Sequence, residues 1–386
     1  MPPIAVPSGP DALTPEWLTD ALRAGGVITR ARVTEARIEP ADEGRAFAGA
    51  PVRAWLTYDR DDEGAPPSLV TKFAAAEPRM RGALSGLRWY ESEIRFYEEL
   101  ATDSEIRTPR RYFSAMDIDQ LDYVLLIEDV VWGDVGDQIA GGSLAQATVV
   151  VEHVARLQQQ WWEHPRLDGL DWLASGAARR VEGAGGWQSF YRRGWDILGE
   201  LMPGLTGGEV RSVAERLGGV YAGILRASAE SPRTLIHGDC RLDNIFFSRD
   251  SLSGQPAEPP TFIDWQLLSC GRGVYDIAYF LGTNFSPELR RTHELDLLRR
   301  YHAIISQPAG DAPDATPQRA GGEYDFEICL RDYRLAMMLV FGFWVQTAGA
   351  ATFPAAAHPL RDAALERVSA ALLDLDAGEL LEELGA

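Results

Sequence analysis

The chain has 386 residues, 46% of them hydrophobic and 24% charged, with a formal net charge of −20. That composition supports a sizeable core and excludes wholesale disorder. The acidic balance argues against a nucleic-acid backbone as partner, which needs a basic face, and leaves solubility or a neutral or cationic ligand as its meaning.

Residues 1–10 have neither the basic start nor the apolar stretch of a signal peptide and read as a loose tail. Thr14-Pro15 reads as a cap followed by proline at the first helical position. It predicts a helix to about Ala24, stopped by Gly25-Gly26. The period then shortens to two, and residues 33–40, 52–58 and 69–73 read as strands separated by turn-rich stretches. On the third sits Lys72, the one lysine among 37 basic residues. Thr71 precedes it, so the chain lacks the Gly-Lys-Ser/Thr of a phosphate-binding P-loop. A helical pattern follows at 86–100, carried by Trp89, Ile94, Phe96, Tyr97 and Leu100. Strand-like runs at 111–115 and 123–127 complete a set of five.

Residues 133–142 read as a linker, after which the chain turns helical. Ser143 and Gln146 have the spacing of a capping box opening a helix to about Trp162. Residues 163–205 read as irregular and tryptophan-rich. Helices are expected at 209–229, from Ser286-Pro287 to Ile305, at 326–347 and at 364–381, with a Pro/Gly/Ala loop at 307–322. The longest apolar run, 335–345, is too short to span a bilayer. Cys240, Cys270 and Cys329 form no CxxC, and no His pair has ligand spacing, so neither a disulfide framework nor a zinc site is expected. The expectation is a reduced, cytoplasmic protein with no membrane partner.

The chemistry concentrates at 235–247, Leu-Ile-His-Gly-Asp-Cys-Arg-Leu-Asp-Asn-Ile-Phe-Phe, a polar loop between apolar runs. A second apolar run ends in a carboxylate, Phe262-Ile263-Asp264-Trp265. Asp239, Asn244 and Asp264 brought together from short strands make a hard-oxygen site of the kind that suits Mg²⁺.

His237-Gly238-Asp239 with Asn244 five residues on resembles the catalytic loop of the aminoglycoside phosphotransferase and choline-kinase-like family, and is similar to the protein-kinase H-R-D-x-x-x-x-N pattern. Ile263-Asp264-Trp265 resembles the family's second metal motif, and Gly273-Val-Tyr-Asp276-Ile-Ala the segment after it. The resemblance covers about residues 35–335. It implies an α+β, two-lobed protein-kinase-like fold: residues 1–130 as a small lobe with a five-stranded antiparallel sheet and one helix besides the N-terminal one, and 131–386 as a larger, mainly helical lobe. It also implies transfer of the γ-phosphoryl group of ATP or GTP, with Mg²⁺, to a hydroxyl of a small molecule such as an antibiotic, an aminosugar or another metabolite. A nucleotide-binding pseudokinase without turnover is the rival reading.

Under that resemblance Asp239 orients the acceptor hydroxyl and takes its proton, Asn244 and Asp264 hold Mg²⁺, and Arg241 steadies the transferred group. His237 and Asp276 orient the loop. Lys72 binds nucleotide phosphates and pairs with a helix carboxylate, Glu93, with Glu91 as the alternative. Gly44 and Gly49 lie where a glycine-rich loop covers the phosphates, although the G-x-G-x-x-G pattern is incomplete. Backbone groups of Glu128 and Val130 would meet the adenine. The aromatics of 158–205 read first as helix-packing core, and Asp332 and Arg334 as candidate acceptor contacts.

Overall fold

The computed structural model describes residues 4–41, 51–173, 181–248, 258–307, 324–350 and 355–384. Two compact units emerge, one of residues 1–103 with 108–133, the other of 104–107 with 134–386.

The first unit is built on five strands, β1 (Val33–Pro40), β2 (Val52–Tyr58), β3 (Ser68–Phe73), β4 (Arg111–Asp117) and β5 (Asp122–Glu128). They order as β1-β2-β3-β5-β4, each neighbour antiparallel. Alternation sorts the two faces. Leu69 and Phe73 of β3, with Val124 and Leu126 of β5, join Leu18, Ala21 and Leu22 of helix α1 (Pro15–Ala24) in one apolar cluster. Thr14 caps α1 by accepting the Trp17 amide at 3.2 Å, as its sequence requires. Lys72 therefore belongs to the opposite face from Leu69 and Phe73. On that face Tyr123 stacks on Tyr90 of helix α3 (Trp89–Glu99) with ring centroids 4.3 Å apart.

A second helix, α2 (Pro78–Gly86), precedes α3 where one was expected. Its residues carry a weak apolar period and two glycines, so the pattern hides it. Glu77 supplies its first-turn cap, accepting the Met80 amide at 2.6 Å. Arg88, at φ 60°, turns the chain between the two helices.

In the second unit α4 (Leu144–Gln160) starts at the Ser143–Gln146 capping box. The short α5 (Arg166–Gly169) and α6 (Ala184–Leu201) follow. The irregular segment expected at 163–205 is thus corrected: α6 buries Tyr191, Trp195 and Leu198 on one face, and glycines in its first turn mask that period. Tyr191 stacks on Tyr221 of α7 (Gly208–Ala227) at 5.1 Å, which puts these aromatics in the core. Helices α8 (Val274–Asn284), α9 (Pro287–Ile305), α10 (Phe326–Ala348), α11 (His358–Asp374) and α12 (Ala377–Glu383) complete the unit. The helix expected at 364–381 is interrupted where Asp376 adopts φ 50°.

The apolar run 335–345 lies within α10, which packs against α6, α7, α8 and α11. Among the described residues no helix is long and apolar enough to cross a membrane. All three cysteines are buried. Short strands, β6 (Gly133–Val135), β7 (Thr234–Ile236), β8 (Ile245–Ser248), β9 (Thr261–Phe262) and β10 (Ser269–Gly271), form two small sheets, β6-β8-β9 and β7-β10.

Candidate active-site loop

Residues 237–244 connect β7 to β8, and each end is tied by an antiparallel pair: Ile236 opposite Ser269, and Ile245 opposite Phe262. The pairing also carries the second motif to the first, because the Ile263 amide donates to the Asn244 carbonyl at 3.0 Å. Asp264 comes next in the chain, at φ 67°, in a left-handed turn that redirects it. Gly238 sits at φ 86°, and a Cβ there would lie 2.3 Å from the Leu267 carbonyl oxygen. Both conformation and space therefore demand glycine before Asp239.

The loop is gripped by α8. Asp276, fully buried, accepts the His237 amide at 2.8 Å and the Gly238 amide at 2.9 Å. Gln158 of α4 donates to the same carboxyl at 3.0 Å and accepts the Tyr301 hydroxyl at 2.7 Å. Two turns on, Asn284 accepts the Leu242 amide at 2.9 Å. His237 is buried against Trp265. Its Nδ1 accepts the Asp239 amide at 3.3 Å, so Nε2 carries the proton and donates to the Ile263 carbonyl at 3.0 Å. Burial pushes its pKa down and keeps the ring neutral.

Asp239 meets three donors. Tyr279 of α8 donates to Oδ1 at 2.7 Å, while Arg241 Nε at 3.1 Å and Asn244 Nδ2 at 2.9 Å donate to Oδ2. Arg241 is shared with Asp243, whose Oδ2 lies 2.9 Å from Nη1. Its Nη2 makes no hydrogen bond among the described residues. With its amide nitrogen turned to Asp239, Asn244 leaves Oδ1 without a donor among the described residues. That oxygen and the Asp264 carboxylate are hard donors, which fits Mg²⁺.

In the first unit Lys72 Nζ donates to Glu93 Oε1 at 2.6 Å. Glu93 is fully buried, whereas the Lys72 side chain keeps 15% of its surface exposed. Glu91, the alternative partner, is instead paired with Arg88. The Glu128 amide donates to the Arg110 carbonyl at 2.8 Å, so that N–H is already spent, whereas the Val130 amide makes no hydrogen bond among the described residues. Asp129 between them is held by Arg53 and Ser68, both at 2.8 Å. Gly44 and Gly49 lie outside the described residues.

Two expected acceptor contacts are corrected. Asp332 is buried against Arg272 at 2.6 Å, and Arg334 donates to the carbonyls of Leu375 and Asp376, both at 2.7 Å. Both close the helical core. Conversely, Tyr279, Gln158 and Asn284 were not anticipated. Tyr279 stands one turn after Asp276, so the helical spacing alone could have nominated it. Gln158 and Asn284 carry no sequence signal for their partners, which are 118 and 42 residues away.

Comparison with known proteins agrees with the resemblance read from these motifs. A model of the ecdysteroid kinase-like family matches residues 195–309, less than half of the chain but including Asp239, Asn244, Asp264 and Asp276. A homoserine kinase of Acidiphilium cryptum (strain JF-5) is 33% identical over 125 residues. The match covers 32% of this chain, and the chain spans only 35% of that relative's length. Among solved structures, an ethanolamine kinase of Plasmodium vivax aligns with 88% of this chain and 81% of its own, at 9% identity and a TM-score of 0.47. A choline kinase of Cryptosporidium parvum Iowa II aligns over 91% of each chain, at 10% identity and a TM-score of 0.48.

Burial pushes the Asp276 carboxyl up to about 7, against the pull of its three donors. An unfolded carboxyl titrates near 4, so the folded chain holds this proton more tightly. The stability it contributes is full below about pH 4 and is lost as pH rises towards 7. The stability gap between wild type and Asp276→Asn, read by urea unfolding, is expected to narrow from pH 5 to pH 8. A gap that stays level would show the carboxyl already ionised at the acidic end.

Proposed function

We propose that the chain is a phosphotransferase that moves the γ-phosphoryl group of ATP or GTP to a hydroxyl of a small molecule. The observation that carries this reading is the arrangement around Asp239. A carboxylate bonded through both oxygens stands beside an amide whose oxygen faces away from it, with Asp264 brought up by the β8–β9 pairing. Phosphoryl transfer has a loose transition state, so positioning and charge neutralisation outweigh strong-base chemistry. A fixed carboxylate is suited to that task.

In this reading Asp239 accepts a hydrogen bond from the acceptor hydroxyl and aims its oxygen at the γ-phosphorus. The new O–P bond forms as the bond to the β–γ bridging oxygen breaks. The hydroxyl proton passes to Asp239 and a nucleoside diphosphate leaves. Asn244 and Asp264 would hold Mg²⁺, which when bound neutralises charge on the phosphates. Arg241 braces Asp239 and keeps Nη2 for the transferred group. Lys72, aimed by Glu93, holds nucleotide phosphates, and Glu128 and Val130 offer backbone groups to the adenine. The acceptor class is that of hydroxylated small molecules, including antibiotics, aminosugars and metabolites such as homoserine.

The test is ADP formation from Mg²⁺–ATP over a panel of homoserine, choline, ethanolamine and kanamycin, with mass detection of an added phosphate on the acceptor. Asp239→Ala is expected to abolish transfer while nucleotide affinity stays within about twofold. Equal loss of both would make Asp239 structural. Lys72→Arg is expected to lower transfer at least tenfold, about 1.4 kcal/mol of barrier, because a planar fork cannot replace a compact ammonium on this strand. Wild-type rates in that variant would refute the role of the lysine.

A further inference from the structure

We propose that Tyr279 is a positioning residue for the phosphoryl-transfer carboxylate, a role that rests on the reading of Asp239 above. Arg241 and Asn244 both bond Oδ2. Bonds to one oxygen alone leave the carboxylate plane able to turn, since the terminal torsion of aspartate is broad. The Tyr279 hydroxyl, 2.7 Å from Oδ1, holds the second oxygen and fixes the plane.

The phenol is itself immobile. It is 1% exposed, and its ring lies among Tyr275, Phe343 and Trp344 with centroids 6.2, 5.9 and 6.4 Å away. The hydroxyl therefore cannot follow a turning carboxylate. Burial drives its pKa well above the ordinary tyrosine value, so it stays a neutral donor. It constrains Asp239 without adding a second positive charge beside Arg241. Its place on α8 is also informative: Asp276, one turn earlier on the same face, fixes the loop backbone at His237 and Gly238. One helix face thus sets both the main chain of the loop and the orientation of its acidic side chain.

The test compares two buried tyrosines with like chemistry. Tyr333 donates to Glu294 at 2.7 Å in the helical core and has no link to Asp239. Tyr279→Phe and Tyr333→Phe each remove one buried hydroxyl and keep the ring. Turnover is read as ADP release from Mg²⁺–ATP with water as the acceptor, and with any panel member that is phosphorylated. Thermal unfolding is followed in parallel. Tyr279→Phe is expected to lower kcat about tenfold, with the KM for ATP unchanged, in keeping with the steep penalty for misplaced reacting groups. Tyr333→Phe is expected to lower the melting temperature and leave kcat at the wild-type value. Wild-type kcat in Tyr279→Phe, or an equal fall in both variants, overturns the proposal. Asp239→Asn separates the two levels. If it keeps wild-type turnover, the assignment of Asp239 fails; if it is inactive while Tyr279→Phe is unimpaired, only the role of Tyr279 fails.

Discussion

The candidate site depends on one buried carboxyl. Asp276 is removed from water at the first turn of α8, and three donors offset the cost of burying its carboxyl there. The amides of His237 and Gly238 and the side chain of Gln158 supply them. The arrangement works in both directions: the carboxyl needs the loop amides, and the amides, on a loop with no ladder of its own, need the carboxyl. Once those two amides are fixed, Gly238 must adopt its left-handed conformation. The next side chain, Asp239, then starts from a defined point.

The sheet unit solves a similar problem with the opposite sign. Lys72 lies on the α3 face of β3, and Glu93 lies fully buried across from it. A buried carboxylate without a cation would be costly, and the pair is stabilised only while both partners are present. Glu93 therefore fixes the ammonium. It also explains why a chain that uses arginine nearly everywhere else keeps lysine at this position: a single compact donor fits beside one carboxylate on a strand, where a guanidinium would bring five donors in a rigid plane.

Much of this was legible in the sequence, because it rests on short-range patterns. Period-two alternation gave the five strands, the Thr14 and Ser143 caps gave helix starts, and the spacing from Asp239 to Asn244 gave the loop. What escaped was set by tertiary contact. The helix of 184–201 was hidden because glycines lower helical propensity, and packing of Tyr191 and Trp195 overrides that loss. Gln158 has the profile of a surface residue on an amphipathic helix, yet it is fully buried because it serves the Asp276 carboxyl. Asp332 and Arg334 read as candidate acceptor contacts on a late helix. Their partners, Arg272 and the carbonyls after α11, come from distant parts of the chain and took them out of consideration as acceptor contacts.

The central claim is that α8 templates the 237–242 loop through Asp276, and amide hydrogen exchange tests it most directly. The two amides bonded to Asp276, those of His237 and Gly238, are expected to exchange only on global unfolding, as slowly as the core of α10. Exchange of either at the rate of an exposed loop would contradict the account.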